Sequence, residues 1–505
     1  MWLALSCRKP EPRPSDGDAT ATGDTATPSI PDAPTSGSTG DTAAPPPGPC
    51  GVLADASPLA GPGEEFLQTV AFGADGGSFV GGYLSGTLMV DPGGPAETTL
   101  DSAPGADGFV IRYAPDGSVQ WAVSIVAPEL VVPTAEGGLV AVGGFYGAAT
   151  FGTGPDAVTL DSVGESDGWV ARLDAEGAVR WAVRFGGSGY DFATGVALAD
   201  GDVVVTGSYG ADATFGAGGP EAVTLVLPPF AITAGFVARF DEDDGAVDWA
   251  DPVGGTQYAL VDRAAVDPVS GEILVTGVLN GPGVTTIPGD PPIEIDPVGA
   301  EGFLGWWNPT GAARAVVTHG GSADDLVVGP DGSVTIAGAF YGEVVFGAGE
   351  PGETTLSTVA NSDLFVARFG PDGAVRWAAQ SEAQPVRNAW GRALAATVDD
   401  GVVVTGDFTG ALRLGAGGPA EITFPGDDDS TAYLARFDRT GDLVCAVAIA
   451  GRPWAFGTDA DRRPDGTFTA LTTVQGAATL APGTPSETEV PPSGGMDGVI
   501  SQWTF

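Results

Sequence analysis

One word order recurs seven times between residues 50 and 505, at a spacing of about 65 residues. Each copy holds short runs of alternating apolar residues, and the final copy lacks its last run. Together these observations predict an all-β fold: a seven-bladed β-propeller of four-stranded blades, closed by an N-terminal strand and preceded by a disordered tether. Composition agrees. Of 505 residues, 80 are Gly and 42 are Pro. Gly costs about 1 kcal/mol at each helical position, so this chain is poorly suited to helices and well suited to tight turns.

The chain opens with MWLALSC. Trp2 to Leu5 resemble the last piece of a signal h-region, and small Ser6 precedes Cys7. Residues 1–7 are therefore expected to be a truncated lipoprotein signal, with Cys7 the lipidation site. Residues 8–49 are almost entirely Pro, Thr, Ser, Asp, Gly and Ala. Such a stretch buries too little to offset chain entropy, so it is expected to be a disordered linker. No run of 18 apolar residues occurs, so the membrane is expected to be reached only through a lipid anchor.

Residues 50–505 are the propeller. The second strand of each unit places a small residue at one position: Gly81, Gly143, Gly207, Gly277, Gly338, Gly406 and Thr472. Third-strand words follow, from GFVIRY (108–113) through GFVARF (235–240) to GVISQW (498–503). Fourth-strand words such as VQWAV and VRWAV follow the first six. Their period-2 alternation marks half-buried strands. Turns such as ADGGS, PDGSV and AEGAV join first to second and third to fourth strands, with Gly supplying the positive φ that such hairpins require. A sandwich domain would need more than 65 residues, and a β-helix repeats over fewer. The segment CGVLADASPLAG (50–61) stands where it can supply the missing strand of unit seven and clasp the ring.

The order WAVRFGG, VVVTGSY, ATFG, GFVARF resembles the seven-bladed β-propeller repeat family of bacterial surface and secreted proteins, over about 450 residues. That family shares no catalytic residues. The resemblance implies an architecture and a place in the bacterial envelope, at the outer membrane or cell surface, or secretion. Unit four departs from the pattern, with Trp306 in the usual Arg position and Ala315 in the usual Trp position. Unit seven has Gln502 in the Arg position.

Charge excludes one large class. With 20 Lys+Arg against 65 Asp+Glu, net −45, no basic surface is available to nucleic acid. Three cysteines and one histidine exclude a zinc finger or a disulfide-dense scaffold. The recurring Arg112, Arg172, Arg239, Arg368 and Arg436 are expected to pair with carboxylates, and Trp121, Trp181, Trp249 and Trp377 to pack between blades. Function should break the repeat rather than follow it. His319 has no nucleophile motif beside it and is expected to be structural. Asp241 to Asp244, Asp324–Asp325 and Asp427 to Asp429 offer oxygen ligands, but no EF-hand spacing, so no cofactor is assigned and Ca²⁺ is only a weak candidate. Cys50 and Cys445 are expected to lie too far apart to bridge.

The short, uniform turns leave the variable connections on the opposite face, where binding usually sits. The binding candidates there are Glu64, Glu65, Tyr190, Asp191, Tyr258, Asp324, Asp325, Arg387, Asn388, Trp390, Arg392, Trp454 and Asp459. Aromatics among acids suit a sugar or a cation-bearing partner. The expected function is a non-catalytic, monomeric, surface-tethered propeller lipoprotein that binds or scaffolds a protein or carbohydrate. The alternative is a hydrolase or lyase acting on polysaccharide through Asp/Glu at the central funnel. Two carboxylates and an Arg converging at the funnel would favour the enzyme, and scattered acids the binder.

Overall fold

The computed structural model describes residues 51–505, apart from short stretches at 60, 104, 106, 153–154, 156, 256, 282–283, 296–299, 384–386, 427–428 and 492–494. The signal, Cys7, the linker 8–49 and Cys50 lie outside the described residues.

Each unit folds as a four-stranded antiparallel sheet in sequence order. In blade 1 the strands are Glu64–Phe72, Ser78–Ser85, Gly108–Tyr113 and Val119–Ile125. Blade 7 uses Trp454–Arg462, Phe468–Gln475 and Met496–Thr504, and its outermost strand is Val52–Leu59 from the far end of the chain. Val52 pairs with Thr504 and Leu59 with Gly498, so the expected closure is present. Each innermost strand packs on that of the next blade, and the innermost strand of blade 7 packs on that of blade 1. The sheets therefore form a closed ring.

The core is divided in the same way. Seven apolar clusters form, one between each pair of neighbours. Blades 2 and 3 share Val140, Val142 and Val170 with Val203, Val205 and Phe236. Blades 7 and 1 share Leu471 with Leu67, Val80 and Ile111. No blade has a core of its own, so none is expected to be stable alone.

One element goes beyond the four-strand expectation. In every blade the connection between the second and third strands carries an extra two-stranded hairpin, such as Thr87–Val90 with Thr98–Asp101. Four of these hairpins share one clasp. A Glu carboxylate accepts the amide of a turn glycine, as Glu97 from Gly93 at 2.6 Å, Glu353 from Gly349 at 2.7 Å, Glu421 from Gly417 at 2.7 Å and Glu487 from Gly483 at 2.6 Å.

The repeated arginines and tryptophans tie the short-turn face together. Each arginine reaches an acid of its own blade's first turn: Arg112 to Asp75, Arg172 to Glu136, Arg239 to Asp202, Arg368 to Asp331 and Arg436 to Asp399. Three also donate to the next blade, Arg172 to the Glu242 carbonyl, Arg239 to that of Pro309 and Arg368 to that of Asp400. The indoles lie on the third-to-fourth turn of the next blade. Trp121 Nε1 donates to the Ala175 carbonyl, Trp181 to Glu242 and Trp377 to Arg439.

Under each indole sits a glycine of positive φ: Gly177 under Trp121, Gly245 under Trp181, Gly311 under Trp249 and Gly441 under Trp377. Blade 4, which has Ala315 in the Trp position, fills the gap from the adjacent strand. Trp306 is buried there, and a Cβ on Gly373 would lie 3.5 Å from its ring.

Blade 6 has Cys445 in the Trp position, and the structure corrects the expectation for it. Cys445 is disulfide-bonded, to a partner outside the described residues. The expectation assumed equivalent points on neighbouring outer strands. Instead, the chain ahead of Val52 leaves blade 7 and turns toward blade 6, where a Cβ on Gly51 would lie 3.0 Å from Val447.

Two glycine substitutions separate backbone strain from this packing. Gly201 (φ 87°) has nothing within 4 Å of a built Cβ, so Gly201→Ala should cost about 1 kcal/mol. Gly245 (φ 74°) would press a methyl to 2.8 Å from Trp181, so Gly245→Ala should cost about 1–3 kcal/mol more. Urea denaturation midpoints measure the difference.

Candidate functional site: the axial channel

Innermost strands expose one edge to the axis, and their unpaired amides need acceptors. Six of the seven carry a bulge at the same register, at Gln68, Thr194, Asp262, Asp324, Arg392 and Thr458. A bulge twists its strand and re-aims two consecutive side chains. The bulged residue and its successor thereby meet their counterparts from other blades.

Some of these side chains serve the neighbouring strand. Thr69 Oγ1 accepts the Val131 amide at 3.2 Å, Asp325 Oδ2 the Leu394 amide at 2.7 Å, and Asp459 Oδ2 the Val70 amide at 2.7 Å. Asp461 accepts the Phe72 amide at 2.9 Å. Each bond runs from one blade to the next, and the last two cross the closing seam. Thr194 also bridges blades, donating to the Val261 carbonyl at 2.6 Å.

Two guanidiniums stand among the acids. Arg263 donates to the Thr194 carbonyl at 2.8 Å and lies 3.8 Å from Asp325. Burial works against its charge, but Asp325, Glu129, Asp459 and Asp262 outweigh it and push its pKa up. Those acids come from blades 2, 4, 5 and 7, which is possible only near the axis. Arg392 pairs with Asp407 at 2.9 Å and lies 5.3 Å from the Trp390 ring.

The carboxylates outnumber these cations. Glu129, Asp262, Asp325 and Asp459 surround Arg263, Asp324 lies near both Arg263 and Arg392, and Asp461 lies beside Arg462. Burial, reinforced by like charge, lifts Asp459 to about 8, Asp262 to about 7, and Asp324 and Asp461 to about 6. Among the described residues, no three His, Cys, Asp or Glu side chains gather closely enough to hold a metal ion. The acids are spread around a ring rather than focused on a point.

The candidates from the sequence fall into two levels. Asp324, Asp325, Arg392 and Asp459 sit deep in the channel, within strands rather than loops. Trp390, Trp454 and Tyr258 lie at the starts of innermost strands, partly exposed at the mouth. Asp191 is buried, staples its loop by accepting the Gly187 and Gly210 amides, and is raised to about 6 by burial. Glu65 is buried beside exposed Glu64 and raised to about 7, first by burial. One of its oxygens accepts the Gly61 amide, and the other finds no partner among the described residues. Asn388 ties the Ser362 and Thr409 loops together, and Arg387 lies against Gly410. Tyr190 is exposed.

Glu129, Asp262, Arg263 and Asp461 were not singled out in the sequence. For Asp262 and Arg263 the signal is the bulge register, and for Glu129 and Asp461 the neighbouring blade's approach, and both can be read only once the strands are paired.

His319 lies in the core, stacked 5.5 Å from Phe346 and bonded to the Gly320 carbonyl, and burial pushes it down to about 4. Asp241 accepts the Asp243 and Asp244 amides, closing a turn. Asp427 and Asp428 lie outside the described residues. On the short-turn face, a cavity of about 400 Å³ is lined by Arg368, Arg376 and Arg439 with Asp331 and Asp400. Its buried arginine is already paired.

No family model matches this chain, and no curated protein does. Among solved structures it is similar to BamB from Moraxella catarrhalis, at 12% identity and TM-score 0.38, over 90% of this chain and 100% of that one. It is similar to quinohemoprotein alcohol dehydrogenase from Comamonas testosteroni at 11% identity and TM-score 0.39, over 89% and 76%. The Dos1 propeller gives 9% identity and TM-score 0.38, over 90% and 95%. At these identities nothing about chemistry passes to this chain. No helix among the described residues is long and apolar enough to cross a membrane.

The raised acids fix a pH dependence. A carboxyl that titrates near 4 unfolded and at 6–8 folded binds more protons in the folded chain, so stability falls as pH rises through that window. Asp75, Asp331 and Asp399 are lowered and act oppositely, but only as pH falls below about 4. The melting temperature should therefore decline from pH 5 to pH 8.5 and level off above. Asp459→Asn, which keeps an acceptor for Val70, should flatten the decline.

Proposed function

We propose that this protein is a non-catalytic binding propeller of the bacterial envelope, tethered through Cys7 and residues 8–49, whose axial channel receives a cationic group of its partner. One observation carries the reading. Five carboxyls surround Arg263 and Arg392, Asp262, Asp324, Asp325 and Asp459 on rigid strands and Glu129 just ahead of one, and this surplus of acid, held partly protonated by burial and mutual repulsion, lies where water is scarce and field lines are focused. An ammonium or guanidinium entering from the open face would neutralise charge that the fold leaves uncompensated. The spread of the acids suits a Lys or Arg side chain better than a bare metal ion. Trp390, Trp454 and Tyr258 would flank the entering stem. The family resemblance supports the envelope location.

A second reading has its own support. Asp262 and Asp324 are both raised and have Arg263 and Arg392 close by, the combination that a glycosidase or lyase would use. Against it, Asp325 and Asp459 are engaged in holding strands.

Calorimetric titration with a Lys/Ser peptide tests the binder. The Asp262→Asn/Asp324→Asn variant should bind at least tenfold more weakly, about 1.4 kcal/mol. Absent binding, or equal binding by the variant, would sink the proposal. Cleavage of an acidic or neutral polysaccharide by the wild type, lost in Asp262→Asn, would establish the enzyme instead.

A further inference from the structure

One blade breaks the repeat on the open face. In blade 3 the chain between the extra hairpin and the third strand reads VLPPFAIT (226–233), where blades 1 and 2 read DSAPGADG and DSVGESDG. Phe230 is 95% exposed, and Val226 and Ile232 are exposed as well. The turn is closed by the Ala231 amide donating to the Pro228 carbonyl, which makes Phe230 its third residue, at φ 72°. That position normally belongs to Gly or Asn, because a Cβ is strained there. Two prolines stiffen a turn that holds a large ring in water at a conformational cost, and among the described residues little contact repays it, since the residue is almost fully exposed.

Neighbouring loops extend the patch. Gly210 lies between the Tyr190 backbone and the Ile232 carbonyl, and Tyr190 pairs with Ser166. Tyr190 and Val163 are exposed. The Ile232 amide donates to the Gln257 carbonyl at 2.7 Å, which joins the patch to the Tyr258 edge of the channel mouth. The surrounding charge is negative. Asp212 anchors the loop through the Leu227 amide, Glu165 is exposed beside Val163, and Arg184 is tied to Asp167 at 2.6 Å.

We infer that this sector, across blades 2 to 4, is the docking surface for a polypeptide segment that interleaves apolar side chains with Lys or Arg, with Phe230 as its anchor. Exposed apolar area of this kind marks interaction sites, and aromatic anchors dominate their energetics. The choice of a cationic polypeptide follows from charge. A second copy of a chain carrying −45 would be repelled, as would an anionic lipid surface. The inference rests on the open face being the binding face, and it names the partner class for it.

The test uses the full chain and Phe230→Gly. This change removes the ring and relieves the strained φ, so the melting temperature should stay level or rise. A 14-residue Leu/Lys peptide should bind the wild type, and Phe230→Gly at least tenfold more weakly, by fluorescence anisotropy. A Ser/Lys peptide of equal charge should not distinguish the two. Equal Leu/Lys affinity for both would overturn the inference. So would loss, in Phe230→Gly, of flotation with phosphatidylcholine vesicles or of self-association in sedimentation velocity, since these assign the patch to lipid or to a second copy. Ser/Lys binding that falls in Asp262→Asn/Asp324→Asn, beside Leu/Lys binding indifferent to Phe230, would keep the axial reading and discard this one.

Discussion

The ring depends on an indole of one blade lying on a glycine of the next. A positive-φ turn without a Cβ gives Trp121, Trp181, Trp249 and Trp377 a flat seat, and three of the four indole N–H groups donate to a carbonyl of the turn that seats them. Both partners are constrained. The turn requires glycine for its backbone, and the indole requires glycine for its approach. Where the sequence abandons the pair, the structure substitutes for it. Trp306 covers Gly373 at the junction of blades 4 and 5, and a disulfide-bonded cysteine stands at the junction of blades 6 and 7, where blade 7 has no third-to-fourth hairpin to serve as a seat.

The axial end of the blades meets a different demand. There the strands have no further neighbour, and their amides are satisfied by side chains of the preceding blade. Part of the acidity of the channel is thus structural, since Asp325, Asp459 and Asp461 are acceptors before they are charges. Asp262, Asp324 and Glu129 are not accounted for in this way. The division matters for function, because a group that holds two strands together is poorly placed to exchange protons or partners during a reaction, whereas the remaining acids are held on the same rigid frame and share only Arg263 and Arg392 as nearby cations.

Much of the fold was legible in the sequence because its signals repeat. Seven copies of a glycine-marked turn, joined by an arginine in five and a tryptophan in four, gave away the strand order, and the missing fourth word at GVISQWTF pointed to the strand at 52–59. The extra hairpins were not anticipated, although the Glu that clasps the turn glycine recurs in GGPAETTL, GEPGETTL, GGPAEITF and GTPSETEV. Nor was the channel legible. Its geometry is set by a bulge that shifts the facing of one residue per strand, and a string of letters does not show which residue is the extra one. Asp324, Asp325, Arg392 and Asp459 stood out as paired or isolated charges. Asp262 and Arg263 are charges of the same kind, and what distinguishes them is register alone. Phe230 stood in plain view as the apolar break in a polar repeat, and its meaning came from exposure and φ.

Closure of the ring by the first strand is the claim on which the channel, the seven shared cores and the open face all stand. Hydrogen exchange of the Val52–Leu59 amides tests it most directly. The account predicts that their bonded amides exchange as slowly as those of Val179–Phe185, the outermost strand of blade 2. Free exchange at 52–59, beside a protected Met496–Thr504, would contradict it.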